Sequence, residues 1–340
     1  MINLKINVLR KAIDELDEKI LNLLSKRKDL VKEIAKLKEN LDLPIIDKKR
    51  EEEILKNISN KAKQLGLDVN SVSNVFGAIF QSSRSEQQKQ MDKVECDVKK
   101  IGLIGFGRFG KLIVKHLSDD FEFLVYDKSV PKNEIRNKNV NPSSLKELCQ
   151  QDKVVLAVPI SDLKNVLNDI KNLLIKDVLV IDVCSVKEYP VKLMKKILPK
   201  SVQILGAHPL FGPDTAYDSL EGRKIILCKV RIQNKFYLQI KRLLESKQLA
   251  VIEATPQQHD IEMAKSLVLT HFIGRALMDM EVSDINMDTK SYRDLIRILE
   301  SVKNDTWQLF EDMNKFNRYS NKIRKNFIKS INEVDKRLRK

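Results

Sequence analysis

Apolar residues recur at steps of three and four along the first part of the chain, at Leu9, Ile13, Leu16, Ile20, Leu23, Leu30 and Ile34. That spacing predicts one amphipathic helix from about Leu4 to Glu39, roughly 50 Å long at about 1.5 Å per residue. Pro44 interrupts the pattern, Asp47 stands where a second helix needs a cap, and "LGLDVN" (65–70) turns into a third helix that ends near Gln90. Residues 1–92 therefore read as an all-α three-helix domain. Its first helix outruns what the domain itself can cover, so a partner chain is expected along it, as in an intertwined dimer.

From Val98 the period shortens. "KIGLIGFG", "FEFLVYD", "KVVLAVP", "DVLVIDV", "VQILGAHP" and "KIILCKV" alternate with helical stretches, which predicts a parallel sheet of α/β type over residues 98–256. The polar stretch "EQQKQMDKVECDVKK" between the two regions is the expected linker. After Thr255-Pro256 the chain turns helical again, and residues 257–340 read as an all-α C-terminal domain apolar enough to pack against another subunit. Several domains suit a chain of 340 residues, too long for one ordinary core.

Composition narrows the setting. No apolar run reaches the length that crosses a bilayer, and the charged start does not resemble a signal peptide, so a cytoplasmic protein without membrane contact is expected. Cys96, Cys149, Cys184 and Cys228 lack metal-ligand spacing and fit a reducing compartment as buried small hydrophobes. The 62 Lys+Arg against 47 Asp+Glu give a net charge of +15, which invites a nucleic-acid partner. The basic residues are interleaved with acids except in "NKIRKNFIKSINEVDKRLRK", and a solvated helix face accounts for that run. Small polyanionic substrates suit the same balance.

One position breaks the first apolar stripe: the step from Leu23 to Leu30 falls on Arg27. Lys38 lies close to three turns further on and projects from the same face. Two buried cations without partners would cost several kcal/mol each, so an anion is expected to meet them. In the third helix, Val72, Phe76, Ile79 and Phe80 continue at the same spacing into Ser83 and Gln87, and the second opens "DKKRE", with Asp47 and Glu51 on one face beside Arg50. These residues could line a cationic pocket. The plainer alternative is that Arg27 and Lys38 snorkel to solvent or pair with Asp47 and Glu51.

As a set, Arg10, Arg27, Lys38, Asp47, Arg50, Glu51, Ser83 and Gln87 resemble the motif of the all-helical class of chorismate mutase, over residues 9–87. The resemblance implies a pericyclic rearrangement of chorismate to prephenate, with neither nucleophile nor cofactor. Arginines would hold the two carboxylates in the reactive conformer, and Lys38 and Gln87 would donate to the ether oxygen as its bond breaks. Glu51, helped by Asp47, would take the ring hydroxyl. Arg10 lies about 100° around the helix from Arg27, and the resemblance implies that it reaches into the partner's site.

The second region opens with strand, then Gly105-Phe106-Gly107-Arg108-Phe109-Gly110, then helix, followed by a second strand ending at Asp127. This is the full fingerprint of a dinucleotide-binding Rossmann domain. Pyrophosphate would sit on the helix N-terminus, and Asp127 would take the adenosine ribose hydroxyls, which favours NAD, although Arg108 and Lys128 leave NADP open. A redox enzyme on this fold needs a base at the carboxyl ends of the strands. His116 is expected to be exposed, His259 to start a helix, and His208 to end a strand where a base belongs. "AHPLFGPD", with "DVCSVK", "TPQQHD", "LTHF" and "SYR", resembles prephenate dehydrogenase over residues 100 to about 320. The resemblance implies His208 as the base, Ser185 as a group orienting it or the hydroxyl, and Arg293 as the arginine gripping a carboxylate. It further implies substrate contact for His271, and places Val158 and Pro159 near the nicotinamide ribose.

The two resemblances describe consecutive reactions, so the chain resembles the bifunctional chorismate mutase–prephenate dehydrogenases, with the C-terminal helices as a dimerisation domain closing over the second site. Alternatives stay open: arogenate as the dehydrogenase substrate, a helical domain serving dimerisation only, or a regulatory NAD- and nucleic-acid-binding protein.

Overall fold

The computed structural model describes residues 2–40, 48–91, 100–135 and 137–339. The chain divides into two compact units, Met1–Glu95 and Cys96–Lys340. Asp47, Cys96 and residues 92–99 of the expected linker lie outside the described residues, while residues 86–91 of that linker are helical.

The first unit contains α1 (Ile2–Asn40), α2 (Lys48–Gln64) and α3 (Val69–Met91), with α3 packed against both others. Among the described residues its buried apolar core is small: Val31, Ala35, Ala62 and Phe80. The expected stripe departs from the inner face in its second half, where Leu30 is 61% and Ile34 45% exposed. From Ile20, the three-residue step to Leu23 and the seven-residue step to Leu30 both fall short of whole turns and together drift about 80° around the helix. Arg27 and Val31 stay within about 20° of Ile20, so the buried face runs Arg27, Val31, Ala35, Lys38. Toward the N-terminus the same face carries Leu9, Ile13 and Ile20, all more than half exposed.

The second unit is built on one sheet with strands β1 (Lys100–Ile104), β2 (Glu122–Tyr126), β3 (Val140–Pro142), β4 (Lys153–Leu156), β5 (Leu179–Asp182), β6 (Gln203–Pro209), β7 (Lys224–Arg231) and β8 (Ala250–Glu253). Their spatial order is β3-β2-β1-β4-β5-β6-β7-β8. The expectation of an all-parallel sheet needs one correction, because β7 runs antiparallel to β6. Residues 210–223 between them carry only one helical turn, Pro213–Ala216, in place of the crossover helix that a parallel return needs. The edge strands β3 and β8 are additions that their short, mixed sequences did not announce.

Helices α4 (Arg108–Leu117), α5 (Leu163–Ile170), α6 (Glu188–Ile197) and α7 (Asn234–Ser246) cover the sheet. The helical remainder comprises α8 (Pro256–Met263), a single π-turn (Ala264–Val268), α9 (Leu269–Asp279), α10 (Lys290–Val302), α11 (Trp307–Phe316) and α12 (Ser320–Leu338). Residues 98–256 and 257–340 thus fall in one compact unit. Side chains alternate across β6: Leu205 and Ala207 join Tyr237 and Ile240 of α7 in one core, while Ile204 joins Leu163, Leu167 and Met194 in another. His208 shares the face of Ile204. Cys149, Cys184 and Cys228 are buried free thiols, and His116, expected to be exposed, is half-buried with Nε2 2.7 Å from the Ala216 carbonyl. Among the described residues no helix is long and apolar enough to cross a membrane.

Candidate active sites

In the helical unit, Arg27 turns inward instead of snorkelling. Its Nη1 donates to the Ser83 hydroxyl, which donates in turn to the Ile79 carbonyl at 2.7 Å, and the guanidinium carbon lies 5.9 Å from the Phe80 ring centroid. Burial lowers the pKa of this guanidinium, as expected for a cation that has lost part of its hydration. Gln87, one turn beyond Ser83, is buried with Oε1 unpaired. Lys38 is half-buried on the same face of α1 as Arg27. Glu51 pairs with Arg84 at 3.1 Å and Lys28 with Glu86 at 3.6 Å; Arg84 and Glu86 escaped the sequence reading. Arg50 is exposed and pairs with Glu53 at 2.9 Å. Arg10 is exposed on the stretch of α1 that extends beyond the core.

In the second unit, Gly105 follows β1 directly with φ +99°, and a Cβ there would stand 2.2 Å from the Ala157 carbonyl oxygen. Gly110 presses α4 onto the loop, since its Cβ would meet the Gly105 oxygen at 2.2 Å. Gly107, capping α4, has an ordinary φ of −68° and open space where a Cβ would project. Neither backbone nor packing requires a glycine at this position, so the space at the helix N-terminus is a cradle that a side chain would fill. An anionic group suits it. Asp127, just past β2, accepts from the amides of Phe106 (2.7 Å), Ser129 (2.7 Å) and Val130 (3.1 Å). Burial works to raise its pKa, but these amides and the Lys128 charge outweigh it and hold the group below the ordinary carboxylate value. An ionised carboxylate there can accept from ribose hydroxyls, so cradle and acceptor together fit a dinucleotide. Val158 packs against the loop, with Cγ1 3.1 Å from where a Gly105 Cβ would lie, and exposed Pro159 follows it past the end of β4.

β1, β4, β5 and β6 are parallel, so Gly105, Val158, Asp182 and His208 all sit at one carboxyl edge. His208 is buried, and its Nδ1 lies 2.7 Å from His259 Nε2. The other ring nitrogen of His259 lies 2.7 Å from Asp260 Oδ1. Asp260 also accepts from the Lys187 and Glu188 amides at 2.7 and 3.0 Å, at the start of α6. Burial, reinforced by His259 and the Lys187 charge, sets the pKa of His208 well below the ordinary histidine value, which keeps the ring neutral and able to accept a proton. Lys187 itself is fully buried; its ammonium donates to Asp182 and to the Ala207 carbonyl. Ser185 Oγ is buried with no hydrogen-bond partner. Of the two expected roles, orienting His208 or orienting the hydroxyl, the orphaned Ser185 Oγ makes no bond to His208 here.

A family profile described as chorismate mutase type II matches residues 9–88, one for the nucleotide-binding domain of prephenate dehydrogenase matches residues 127–253, and one for a TYRAAT1-like C-terminal domain matches residues 276–340. Arogenate dehydrogenase 2 of Arabidopsis thaliana is 31% identical over 68% of this chain and 68% of its own length. The T-protein of Haemophilus influenzae is 27% identical over 78% of this chain and 67% of its own. The chain belongs to the prephenate dehydrogenase family, with a type II chorismate mutase domain fused to it. In fold it is similar to the crystal structure of prephenate dehydrogenase from A. aeolicus in complex with hydroxyphenyl propionate and NAD+ (TM-score 0.57, 22% identity, 71% of this chain and 91% of that one).

The remaining expected residues of the dehydrogenase unit fall into place unevenly. The Arg108 side chain is engaged by protein: it donates to both Asp214 oxygens and the Asn304 carbonyl at 2.7 Å and lies 3.7 Å from Asp305. His271 is buried, with Nδ1 3.8 Å from Asp305 but without a hydrogen bond; burial, then the Arg275 charge, lowers its pKa to about 4. Arg293 is exposed and pairs with Asp288 at 3.2 Å. His259 and Asp260 are site residues that the sequence pattern does not mark. Thr255 caps α8 through the Gln258 amide, and that strong helix-start signal gave His259 a sufficient local reason to be where it is.

Proposed function

We propose that the chain first rearranges chorismate to prephenate in its helical unit and then oxidatively decarboxylates prephenate to 4-hydroxyphenylpyruvate in its second unit. In the helical unit, Arg27 would bind one carboxylate with Ser83 holding its orientation, and Arg10 and Arg50 would add cationic contacts. Lys38 and Gln87 would donate to the ether oxygen, whose negative charge grows as the bond breaks; for Gln87 the donor would be the Nε2 amide nitrogen. Glu51, with Asp47, would receive the ring hydroxyl.

In the second unit the observation that carries the reading is His208, a buried neutral histidine at the strand edge that also bears the glycine cradle. Gly105 to Gly110, Asp127, Val158 and Pro159 would hold NAD, which supplies the hydride acceptor when bound. His208 takes the proton of the ring hydroxyl as hydride leaves the same carbon. Departure of the ring carboxylate as CO2 leaves its electron pair to aromatise the ring, and the phenolate oxygen recovers the proton from His208. Ser185 would orient the hydroxyl, His271 would contact substrate, and Arg293 would grip a carboxylate when the α10 region meets it.

Supplying chorismate and NAD+ to the purified chain tests both steps at once: 4-hydroxyphenylpyruvate and NADH are expected, and accumulation of prephenate without NADH would refute the second step. Arogenate is the second reading, favoured by the 31% identity to a plant arogenate dehydrogenase; comparing kcat/KM for the two substrates decides it. The working form is a cytoplasmic homodimer. The exposed stripe of α1 and the exposed Ile328, Ile331, Val334 and Leu338 of α12 are the apolar faces it would cover, and light scattering on the eluting protein checks the mass.

A further inference from the structure

We propose that His259 and Asp260 are positioning residues that hold His208 in one tautomer, with hydrogen on Nδ1 and a free lone pair on Nε2, the atom that takes the substrate proton. The proposal rests on the dehydrogenase reading of His208. The three side chains form a series of hydrogen-bond roles with a fixed end. The Asp260 carboxylate accepts two backbone amides at the start of α6 and faces His259 Nδ1 at 2.7 Å. An ionised carboxylate only accepts, so the hydrogen in that contact is on His259 Nδ1. Neutral His259 then presents an unprotonated Nε2, which can only accept across the 2.7 Å to His208 Nδ1. His208 therefore carries its hydrogen on Nδ1, and Nε2 is the basic nitrogen.

The arrangement is rigidly built. His259 is 1% and Asp260 0% exposed, the two imidazoles meet edge to face with centroids 4.9 Å apart, and Asn317 Nδ2 donates to the Asp260 carbonyl at 2.8 Å. A ring flip at His259 would break both of its bonds without solvent to replace them. The same chain serves the reaction. The substrate O–H bond breaks heterolytically, its proton passes to Nε2, and its electron pair forms the carbonyl as hydride leaves the carbon. The imidazolium so formed is stabilised by donating its Nδ1 hydrogen toward His259 and the Asp260 charge behind it. On decarboxylation the oxygen takes the proton back, so none needs to leave a buried site.

Nitrogen-15 NMR of the full chain labelled at histidine, without ligand, reads the tautomer directly. Protonated Nδ1 and unprotonated Nε2 are expected at His208, and the reverse overturns the proposal. Asp260→Asn puts an amide donor against His259 and inverts the chain of roles. It should flip the His208 tautomer and lower kcat at least about a hundredfold with KM and NAD+ affinity nearly unchanged; an unchanged kcat overturns the proposal. His259→Gln sets a carbonyl oxygen near the Nε2 position and should keep kcat within about tenfold, whereas His259→Leu should not. Equal loss in both variants marks a purely structural role and also overturns it. If the wild type oxidises neither prephenate nor arogenate, the dehydrogenase reading fails by itself, and the tautomer measurement still decides the relay.

Discussion

Replacing Lys187 by Met tests how the second unit tolerates charge at its centre. Lys187 and Asp182 are both fully buried; the ammonium donates to Asp182 and, at 2.6 Å, to the Ala207 carbonyl of β6. Asp182 keeps a 3.2 Å bond from the Cys184 amide, and its Oδ2 has no hydrogen-bond partner. Burial already raises the Asp182 pKa against the pull of Lys187. Without the ammonium, the carboxylate is left uncompensated in a dry interior or must take up a proton. Breaking such a pair costs about 3–5 kcal/mol, which for a unit of this size lowers the melting temperature by roughly 6–20 °C.

Trp307, the only tryptophan in the chain, lies in α11 of this unit and reports its unfolding in urea or heat without contribution from the helical unit. The decisive comparison is a double-mutant cycle. Asp182→Asn with Lys187→Met removes both charges, so the pair should recover about 2 kcal/mol relative to the sum of the single losses. Strict additivity would refute the reasoning, because the damage would then come from lost packing and not from an orphaned charge.

Three further outcomes follow from other sites. His271 has its pKa lowered by burial from 6.5 to about 4, so the unfolded chain takes up a proton below about 6.5 while the folded chain resists until about 4. Its contribution is complete above pH 6.5 and is lost as pH falls toward 4, by about 3 kcal/mol; urea unfolding at pH 7.5 and 4.5 should show a smaller acid loss in His271→Gln by that amount. Gly107→Ala should fold normally and raise the KM for NAD+ at least about tenfold by filling the cradle, whereas Gly105→Ala, with φ +99° and a 2.2 Å contact, should cost stability first. Arg27→Leu should leave the ligand-free helical unit as stable or up to about 1 kcal/mol more stable by circular dichroism, abolish chorismate turnover, and remove the melting-temperature rise given by a dianionic transition-state analogue.

What could be read from the chain alone was chemistry confined to short spans. The glycine loop, the acid 20 residues on, and a histidine at a strand end all lie within one or two elements, where period and spacing report position directly. The polar set of the helical unit was also legible, because helical geometry relates Ser83 to Gln87 and Arg27 to Lys38 without knowledge of the fold. The relay was not. His208 and His259 are 51 residues apart, on a strand and a helix whose meeting depends on β7 running antiparallel, a reversal that no hydrophobic pattern encodes. Arg108 and Asp214 are likewise 106 residues apart, so a side chain placed by motif on the cofactor was found clasping an acidic loop. Even the stripe of α1 was misplaced, because accumulated drift carries Leu30 off the inner face while Arg27 stays in line with Ile20 and Val31.

The two units solve opposite electrostatic problems, and the difference explains their architecture. Chorismate is a dianion that must be gripped by permanent charge, so the helical unit keeps cations at the edge of a thin core where they stay partly hydrated until substrate arrives. That leaves little apolar surface for folding, and much of the apolar face of α1 stays open to solvent. The dehydrogenase needs a base that is neutral when substrate binds and charged for the moment of hydride departure. A deeply buried imidazole meets the first requirement, since burial disfavours its charge. A carboxylate held one ring away meets the second, because it supports the positive charge without touching the substrate or competing for its proton. The proposed base, His208, is set inside a large α/β core, and the carboxylate behind it, Asp260 of α8, is held by two backbone amides at the start of α6, so one polypeptide supplies this chain of groups.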